Sequence, residues 1–298
     1  MLVKKIKGKV RRYVMPYYDK VFEKSIIQHS RHAIPDFLII GAKKAGTTSL
    51  AQYLSRHPSI IPPKKKEAGY FSWGKPQGLA HYLRNFPVKA TKGDNLTFEA
   101  TPAYIYSKQA PKDILRLFPD IKLIAILRDP IRRAFSDWTF LHHSTFIKAH
   151  RWLYDERPFR QAVEEEIRDI HAVSRFHRYL DKGKYARQLK HWYEFFSQDR
   201  LLLLDNKDLK QTPRKTLRKV TDFLDISAYY ADFQLSKERV NELVQEPDQD
   251  SAKTFKTFNA NIYKEPLDPD IEQQLREFYE PYDEELVQLT GTCFSWMG

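Results

Sequence analysis

The sequence is poor in the features that would tie a protein to an oxidising compartment or to a membrane. It contains one cysteine, Cys293, so no intramolecular disulfide can form, and a lone thiol of this kind is typically buried. No run of about 18 apolar residues occurs, so no membrane-spanning helix is predicted. Residues 1–13 carry six basic and no acidic side chains, but no apolar stretch follows as in a secretory signal. We expect a soluble, cytoplasmic protein.

Acidic residues are also scarce relative to basic ones, with 38 against 50 and a net charge of +12. This charge favours anionic partners such as nucleotides, acidic glycans, nucleic acid or a membrane surface, without choosing among them. Aromatic residues make up 14% and apolar residues 42% of the chain, a composition that allows a real core. Neither a cysteine pair nor a His-Glu-x-x-His motif is present, so no metal is predicted.

Strand-like and helix-like apolar patterns alternate along the chain. The predicted strands are residues 37–40, 96–98, 121–127 and 201–204, and the predicted helices are residues 47–56, 111–118, 131–142, 158–173, 185–196, 213–224 and 268–289. The last helix is expected to break at Pro281. Such alternation predicts an α/β fold with a central parallel sheet flanked by helices. We expect one domain over residues 34–298, preceded by a basic appendage at residues 1–33.

A glycine-flanked loop separates the first strand from the first helix. Gly41 and Gly46 have the spacing of a P-loop, in which backbone amides and a helix N-terminus surround an anion. A P-loop for triphosphates has lysine directly after the second glycine, whereas this chain has Thr47 there and Lys43 and Lys44 before it. The loop therefore predicts a P-loop-like domain whose anion is not a nucleoside triphosphate. The alternative is an ordinary capped helix start with surface lysines.

Two segments together resemble the donor-binding motifs of sulfotransferases that use 3′-phosphoadenosine 5′-phosphosulfate (PAPS). Residues 44–50 resemble the loop that holds the 5′-phosphosulfate, and residues 127–137 resemble the motif whose arginine and serine grip the 3′-phosphate. An arginine fork suits a dianionic phosphate, and helix-opening hydroxyls can cap the helix or bind phosphate. The resemblance predicts these donor-binding residues: Lys43, Lys44, Ala45, Gly46, Thr47, Thr48, Ser49, Arg128, Ser136 and Tyr185.

Within this family the chain is most similar to the heparan sulfate N- and 3-O-sulfotransferases. The resemblance spans residues 34–296 and includes His57-Pro58, Lys66-Glu67 followed by Tyr70-Phe71, Gly183-Lys184-Tyr185, and the tail from residue 275 to Trp296. The eukaryotic Golgi members carry a membrane anchor and a disulfide, and this chain shows neither. Their glycine- and arginine-bearing loop is replaced by the basic residues 253–266. A soluble, bacterial-type enzyme is therefore expected, with a glycan acceptor or, alternatively, a small natural product or lipid.

The resemblance also implies how the reaction would be catalysed. Lys44 would stabilise the oxygen on which charge develops as adenosine 3′,5′-bisphosphate leaves, with Lys43 as the alternative. Glu67 would remove the proton of an acceptor hydroxyl. It follows three lysines, which would make it a weaker base if they lie close. Glu99 is a lesser candidate for the base, its ordinary interpretation being an ion pair.

Other functions are left open by the sequence. His142 and His143 could line an acceptor site, although surface positions are their ordinary interpretation. A nucleoside-triphosphate kinase or GTPase would use Asp129 to bind magnesium, and a non-enzymatic glycan- or nucleic-acid-binding protein would need only a basic surface. The sulfotransferase interpretation instead implies an acceptor glycan or small molecule, no nucleic acid and no membrane span. The basic N-terminus could contact a membrane peripherally or be a solvated tail, and the sequence does not predict the number of subunits.

Overall fold

The apolar runs of the sequence form one parallel sheet. A computed structural model describes residues 15–72, 78–143, 152–229 and 266–297. The sheet has the order β2-β3-β1-β4-β5, all strands parallel, and its strands are β1 (Phe37–Gly41), β2 (Ile60–Ile61), β3 (Leu96–Ala100), β4 (Lys122–Leu127) and β5 (Leu201–Asp205). The predicted α/β class with a central parallel sheet is confirmed. Strand β2 was not predicted because two residues carry no periodic signal.

Helices connect the strands and cover the sheet. They are α1 (Met15–His29), α2 (Thr47–Leu54), α3 (Gly78–Leu83), α4 (Lys89–Lys92), α5 (Ala110–Leu117), α6 (Pro130–His143), α7 (Phe159–Arg168), α8 (Tyr185–Tyr193), α9 (Asn206–Gln211), α10 (Pro213–Leu224) and α11 (Pro269–Thr290), with single 3-10 turns at Asp181–Gly183 and Gln198–Arg200. The crossovers make the sheet inaccessible from both faces, which is why its strands are continuous apolar runs rather than alternating ones.

The carboxyl ends of three neighbouring strands meet at one edge of the sheet. Strand β1 is fully buried and pairs with β4, so that Gly41 lies opposite Ala125, while Leu127 pairs with Asp205 of β5. The amide of Ala42 donates to the carbonyl of Ile126 at 2.8 Å, which fixes the start of the loop after β1 against β4. Residues that follow β1, β4 and β5 are therefore neighbours, as expected where parallel strands end.

Three details differ from the sequence predictions. Helix α11 runs unbroken through Pro281, because Tyr279 before it and Leu286 after it are both buried and hold the two halves against the body of the protein. Helix α7 ends at Arg168 rather than at residue 173. Cys293 is exposed, so the expectation of a buried thiol is wrong. It lies just after Gly291, which ends α11 with a left-handed backbone (φ 65°) that turns the chain outward.

The segment before residue 34 contacts the domain in the part that the structure describes. Glu23 on α1 forms a bidentate pair with Arg116, and Lys89 donates to the carbonyl of Ile27 at 3.1 Å. Residues 1–14, with the basic arm, and the loop at residues 253–265 lie outside the described residues, so the division at residue 33 stays a prediction. Among the helices that the structure describes, none is long and apolar enough to cross a membrane.

Candidate active site

The loop after β1 ends in a glycine that no other residue could replace without strain. Gly46 is the N-cap of α2, has φ 100°, and provides no side-chain cap for the helix. A Cβ atom there would lie 2.7 Å from the side-chain nitrogen of Asn206. The predicted capping by threonine is thus wrong, because Thr47 is already the first helical residue. The helix N-terminus presents its backbone amides at the strand edge, the arrangement that suits an anion.

The loop is tied to the end of β5 by a residue that sequence reasoning missed. The side-chain amide of Asn206 donates to the carbonyl of Ala45 at 2.6 Å, and both residues are buried. Asn206 follows β5 directly. A polar residue at the end of a predicted strand was the signal in the sequence that could have identified it as a site residue. The two residues are 161 positions apart, so only the strand order brings them together.

The two predicted nucleotide motifs meet in the structure. The guanidinium of Arg128 donates to the carbonyl of Lys44 at 3.0 Å, joining the end of β4 to the loop after β1. The hydroxyl of the buried Tyr185 donates to the carbonyl of Arg128 at 2.8 Å, so Tyr185 supports Arg128 from behind. Ser136 is buried two turns into α6, whereas Ser49 is exposed on α2.

A buried carboxylate beside Ser136 collects three cations. Asp137 is fully buried, and its oxygens lie 2.9 Å from the ammonium of Lys43, 3.2 Å from that of Lys182 and 3.4 Å from the guanidinium of Arg133. Burial alone would raise the pKa of Asp137, but Lys182, Lys43 and Arg133 together lower it well below its usual range. The sequence analysis missed Asp137 and Lys182. Arg133 and Asp137 at i and i+4 were a local signal for one pair only.

Lys44 differs from its neighbour in its surroundings. Its backbone has φ 66°, and its ammonium lies 4.7 Å from the centre of the Phe140 ring, whereas that of Lys43 lies 5.5 Å away and is bonded to Asp137. Burial, together with the nearby charges of Lys43 and Arg128, lowers the pKa of Lys44 to about 8, against the opposing effects of Asp137 and Glu67. Lys44 is therefore the desolvated lysine of the pair, and such a cation acts strongly on a developing negative charge.

Glu67 lies in the loop after β2, next to the end of β3. Its amide donates to the carbonyl of Ala100 at 3.1 Å, at the end of β3, and its φ is 61°. Its side chain is 52% exposed and pairs with Lys66 at 2.6 Å. The charge of Glu67 raises the pKa of Lys44, so the two predicted catalytic residues act on each other across the site.

The lesser candidates for the base lie elsewhere. Glu99 is fully buried in β3, and hydroxyl groups rather than a cation hold its carboxylate. His142 donates its Nδ1–H to the carbonyl of Asp155 at 2.7 Å and stacks on Trp138, with ring centres 4.6 Å apart. His143 is exposed and contacts the edge of the same indole.

Asp129, which a kinase or GTPase would use for magnesium, caps a helix instead. One carboxylate oxygen accepts the amide of Ile131 at 2.9 Å, and the other accepts a hydrogen bond from Arg276 at 3.3 Å. Both oxygens are therefore engaged in positioning α6 and α11.

A cleft of about 1180 Å³ opens beside Arg128. It is bordered by the helix that follows β5, where Asn206, Lys207 and Lys210 face it, and by α11 on the opposite side. Burial, and then the nearby Arg128, lower the pKa of Lys210, so two cations approach each other at this wall. The cleft is large enough for a nucleotide. Arg128 and Lys210 provide cations that suit an anionic group at one wall, whereas α11 lines the cleft with the acidic Glu277, Glu280 and Glu284.

Known proteins are similar to this chain in sequence and in fold. A family model described as "Sulfotransferase domain" matches residues 34–291. Human heparan sulfate glucosamine 3-O-sulfotransferase 3A1 is 28% identical over 275 residues, which cover 92% of this chain and 65% of the human protein. The bifunctional heparan sulfate N-deacetylase/N-sulfotransferase 1 of Caenorhabditis elegans is 32% identical over 212 residues, which cover 68% of this chain and 23% of that protein.

Solved structures agree with these matches. The crystal structure of a sulfotransferase from Alicyclobacillus acidocaldarius superposes with a TM-score of 0.68 at 25% identity, covering 89% of this chain and 99% of that one. A mouse sulfotransferase solved with PAP shares the fold, with a TM-score of 0.51 at 17% identity, over 88% of this chain and 87% of that one. The resemblance drawn from the two motifs is confirmed at the level of the family.

Proposed function

This chain belongs to the sulfotransferase domain family, and we propose that it transfers a sulfuryl group from PAPS to a hydroxyl or amine of a glycan by in-line displacement. The observation that carries the proposal is the contact of Arg128 with the carbonyl of Lys44 at 3.0 Å. It joins the predicted 3′-phosphate residue to the predicted 5′-phosphosulfate loop in one site. The family uses PAPS as its donor, and the proposal is supported by Arg128 and Lys210, two cations that line the cleft beside the loop.

The donor would be held at both of its anionic ends. The amides at the N-terminus of α2, after the side-chain-free Gly46, suit the 5′-phosphosulfate. Arg128 at the end of β4 and Ser136 on α6 suit the 3′-phosphate, with Lys210 adding positive charge on the same wall. When bound, PAPS supplies an activated sulfuryl group whose departure leaves negative charge on the bridging oxygen.

Two side chains would then act on the reacting atoms. The ammonium of Lys44 stabilises negative charge developing in the site, and its partial burial makes that interaction stronger than it would be in water. The carboxylate of Glu67 takes up the proton of the acceptor hydroxyl. Its exposure of 52% suits this role, since the acceptor must approach from solvent.

A glycan acceptor is supported by an exposed aromatic surface next to the site. Trp152 is 62% exposed and meets Phe176 edge to face at 5.0 Å, while the Arg175 guanidinium lies 5.0 Å from the centre of the Phe176 ring. Aromatic faces bind the apolar faces of sugars, and an arginine beside them suits carboxylate or sulfate groups.

Two side chains, Lys182 and Asp137, connect this aromatic surface to the donor loop. The ammonium of Lys182 donates to the carbonyl of Phe176 at 2.8 Å and pairs with Asp137, which in turn pairs with Lys43. The acceptor surface and the donor loop therefore share one buried carboxylate. The names of the heparan sulfate relatives agree with an acidic glycan, which is the acceptor class that we propose.

The test is a transfer assay with labelled PAPS against acidic glycans, neutral glycans, small phenols and lipids. We expect transfer to an acidic glycan. Trp152→Ala should raise KM for the glycan roughly tenfold, as the loss of about 1.4 kcal/mol of aromatic contact would do, and leave kcat unchanged. Phe22→Ala removes an equally exposed aromatic ring, at 66%, from α1 and serves as the control.

The other outcomes of this assay decide against the proposed acceptor. Transfer only to phenols or lipids would replace the glycan by a small natural product or lipid. Binding of glycan without transfer to any acceptor would favour a non-enzymatic glycan-binding protein. A cytoplasmic location stays a prediction, which fractionation of the native host cells would test.

A further inference from the structure

Three hydroxyl groups surround a buried carboxylate behind the predicted base. Glu99 is fully buried, and its carboxylate accepts hydrogen bonds from the hydroxyls of Tyr82, at 3.0 Å, Tyr104, at 2.9 Å, and Thr101. These residues come from α3, β3 and the turn after β3. The mechanism proposed above uses none of them, and fully buried acidic side chains are rare unless they have a structural or functional task.

Two of these hydroxyls also hold the loop that carries Glu67. The oxygen of Thr101 accepts the amide of Gly69 at 3.1 Å, and the oxygen of Tyr104 accepts the amide of Phe71 at 3.4 Å. Gly69 and Phe71 are two and four residues after Glu67. Together with the amide of Glu67 itself, which donates to the carbonyl of Ala100, they tie this loop to the end of β3.

The direction of each hydrogen bond follows from the ionised state of Glu99. A carboxylate only accepts, so Thr101 and Tyr104 must point their protons at it, and their oxygens are then oriented to accept from the loop amides. A protonated or amide side chain at this position would place a donor among these hydroxyl donors. At least one hydroxyl would have to turn, and its bond to the loop would weaken.

We propose that Glu99 is a positioning residue for the sulfuryl-transfer reaction, which fixes the Glu67 loop through the hydroxyls of Thr101 and Tyr104. This inference rests on the proposed function in assigning the proton-accepting role to Glu67. Burial raises the pKa of Glu99, and the bonds from Thr101, Tyr104 and Tyr82 oppose that rise, so the hydroxyls favour the ionised state that the network requires.

Three conservative variants separate positioning from simple stability. Glu99→Gln reverses one hydrogen-bond direction, and Thr101→Val removes the hydroxyl that holds Gly69 while keeping the side-chain shape. Tyr82→Phe is the control, because the loop amides of Gly69 and Phe71 bond to Thr101 and Tyr104, whereas the Tyr82 hydroxyl bonds to Glu99. The ring of Tyr82, which stacks on Tyr70 at 4.7 Å, is kept in this variant. Each variant would be measured for kcat with PAPS and the glycan, for Kd of adenosine 3′,5′-bisphosphate, and for hydrogen exchange of the amides of Gly69 and Phe71.

We expect Glu99→Gln and Thr101→Val to lower kcat by roughly 10- to 100-fold, the effect of a small displacement of a reacting group, with the Kd of the bisphosphate unchanged. The amide of Gly69 should exchange faster with solvent in both variants. The amide of Phe71 should exchange faster in Glu99→Gln. Tyr82→Phe should change kcat by no more than about twofold, as a change of about 0.5 kcal/mol would.

Two results would overturn the inference: protected loop amides in Glu99→Gln, or a kcat loss in Tyr82→Phe as large as in Glu99→Gln. If Glu99→Gln does not fold, Thr101→Val decides on the same criteria. If the wild-type protein transfers no sulfuryl group, the proposed function fails, and the exchange rates of the loop amides still decide whether Glu99 positions this loop.

Discussion

The two sides of the candidate site are built differently. On the donor side, side chains cross-link the loop to three other elements: Arg128 and Asn206 bind its carbonyls, and Asp137 binds its Lys43. On the acceptor side, Glu67 is half exposed, and the contacts that hold its loop go to backbone amides rather than to its own side chain. The donor side is thus preorganised around a small anion, while the acceptor side is open to a large molecule.

This difference fits the demands of the two substrates. Charge develops on the leaving donor, and dipoles that are fixed in advance stabilise it without reorganisation. The proposed glycan would enter and leave from solvent, so the group that takes its proton would not be enclosed in the same way. Substitutions on the acceptor side should therefore leave donor binding unchanged, and those on the donor side should affect donor binding or stability as well as turnover.

The largest expected effect lies on the acceptor side. Glu67→Gln keeps the shape of the side chain and removes its basicity, so kcat should fall by roughly 10²- to 10⁴-fold. The affinity for adenosine 3′,5′-bisphosphate, measured by calorimetry, should stay the same because the side chain faces the acceptor. Weaker bisphosphate binding of similar magnitude in Glu67→Gln would mean that the two sides are not separate.

Lys44→Ala should lower kcat by roughly 10²- to 10³-fold, the usual cost of losing one group that stabilises developing charge. The pH profile gives a sharper test. Lys44 acts when protonated, and its pKa of about 8 means that the protonated fraction falls as pH rises through this value. We expect kcat/KM for PAPS to fall as pH rises through about 8.

Lys44→Arg is the matched variant for this profile. Arginine stays charged at all accessible pH values, so its kcat/KM should show no decline near pH 8, even if its absolute value is lower. An unchanged alkaline decline in Lys44→Arg would assign that decline to another group.

Asp137 should matter for stability as well as for the site. Asp137→Asn leaves Arg133 and Lys182 buried without a counter-charge, and we expect the free energy of unfolding to drop by ~3–5 kcal/mol in urea denaturation. The pKa of Asp137 is lower in the native state than its value of about 3.9 in the unfolded chain, so its ionised carboxylate stabilises the native state at pH values above about 3.9. This contribution is lost as pH falls towards the native-state pKa of Asp137. The free energy of unfolding of Asp137→Asn should therefore depend less on pH in acid than that of the wild type.

Asp222→Asn provides the matched control for this change. Asp222 also follows an arginine by four residues, Arg218, but both side chains are more than 65% exposed. It should have little effect on unfolding, as is usual for surface pairs. Equal losses in the two variants would mean that burial of Asp137 is not what makes it important.

The smallest of these effects concerns backbone strain on the donor side. Gly46→Ala forces a side chain into φ 100° and against Asn206, so bisphosphate affinity should fall by roughly 5- to 30-fold, or ~1–2 kcal/mol. Gly93→Ala meets φ 53° with no atom within 4 Å of the added Cβ, so it should cost some stability and leave bisphosphate affinity intact. Equal bisphosphate affinity in Gly46→Ala and Gly93→Ala would show that the loop after β1 can be displaced without loss of binding.

The same two sides differ in how much the sequence alone could predict. Most predicted donor residues lie in two contiguous segments, at the ends of the strong apolar runs that became β1 and β4, so the resemblance of these segments to the family's motifs was enough to name Lys44, Gly46 and Arg128 as candidates. Their partners come from distant positions: Asn206 is 161 residues from Ala45, and Lys182 is 45 residues from Asp137. No periodicity in the sequence connects such pairs, and only the strand order does.

Elements without a clear pattern were missed for similar physical reasons. Helices α3, α4 and α9 have six or fewer residues, too few to show a period of 3.6. Helix α1 was expected to be part of an appendage, although Glu23 on it pairs with Arg116 of the domain. The buried role of Glu99 was also out of reach, because one of its three hydroxyl partners, Tyr82, is brought to it only by the packing of α3 on the end of β3.

The central claim is that one site grips a donor by both its 5′ and 3′ anionic groups. Calorimetry with adenosine 3′,5′-bisphosphate and with AMP, on the wild type and on Arg128→Ala, tests it most directly. We predict that the wild type prefers the bisphosphate by roughly 10- to 100-fold, as one charged hydrogen-bonding group would provide, and that Arg128→Ala loses this preference with its affinity for AMP unchanged. Equal wild-type affinity for the two nucleotides, or tighter binding of ATP with magnesium, would contradict the account.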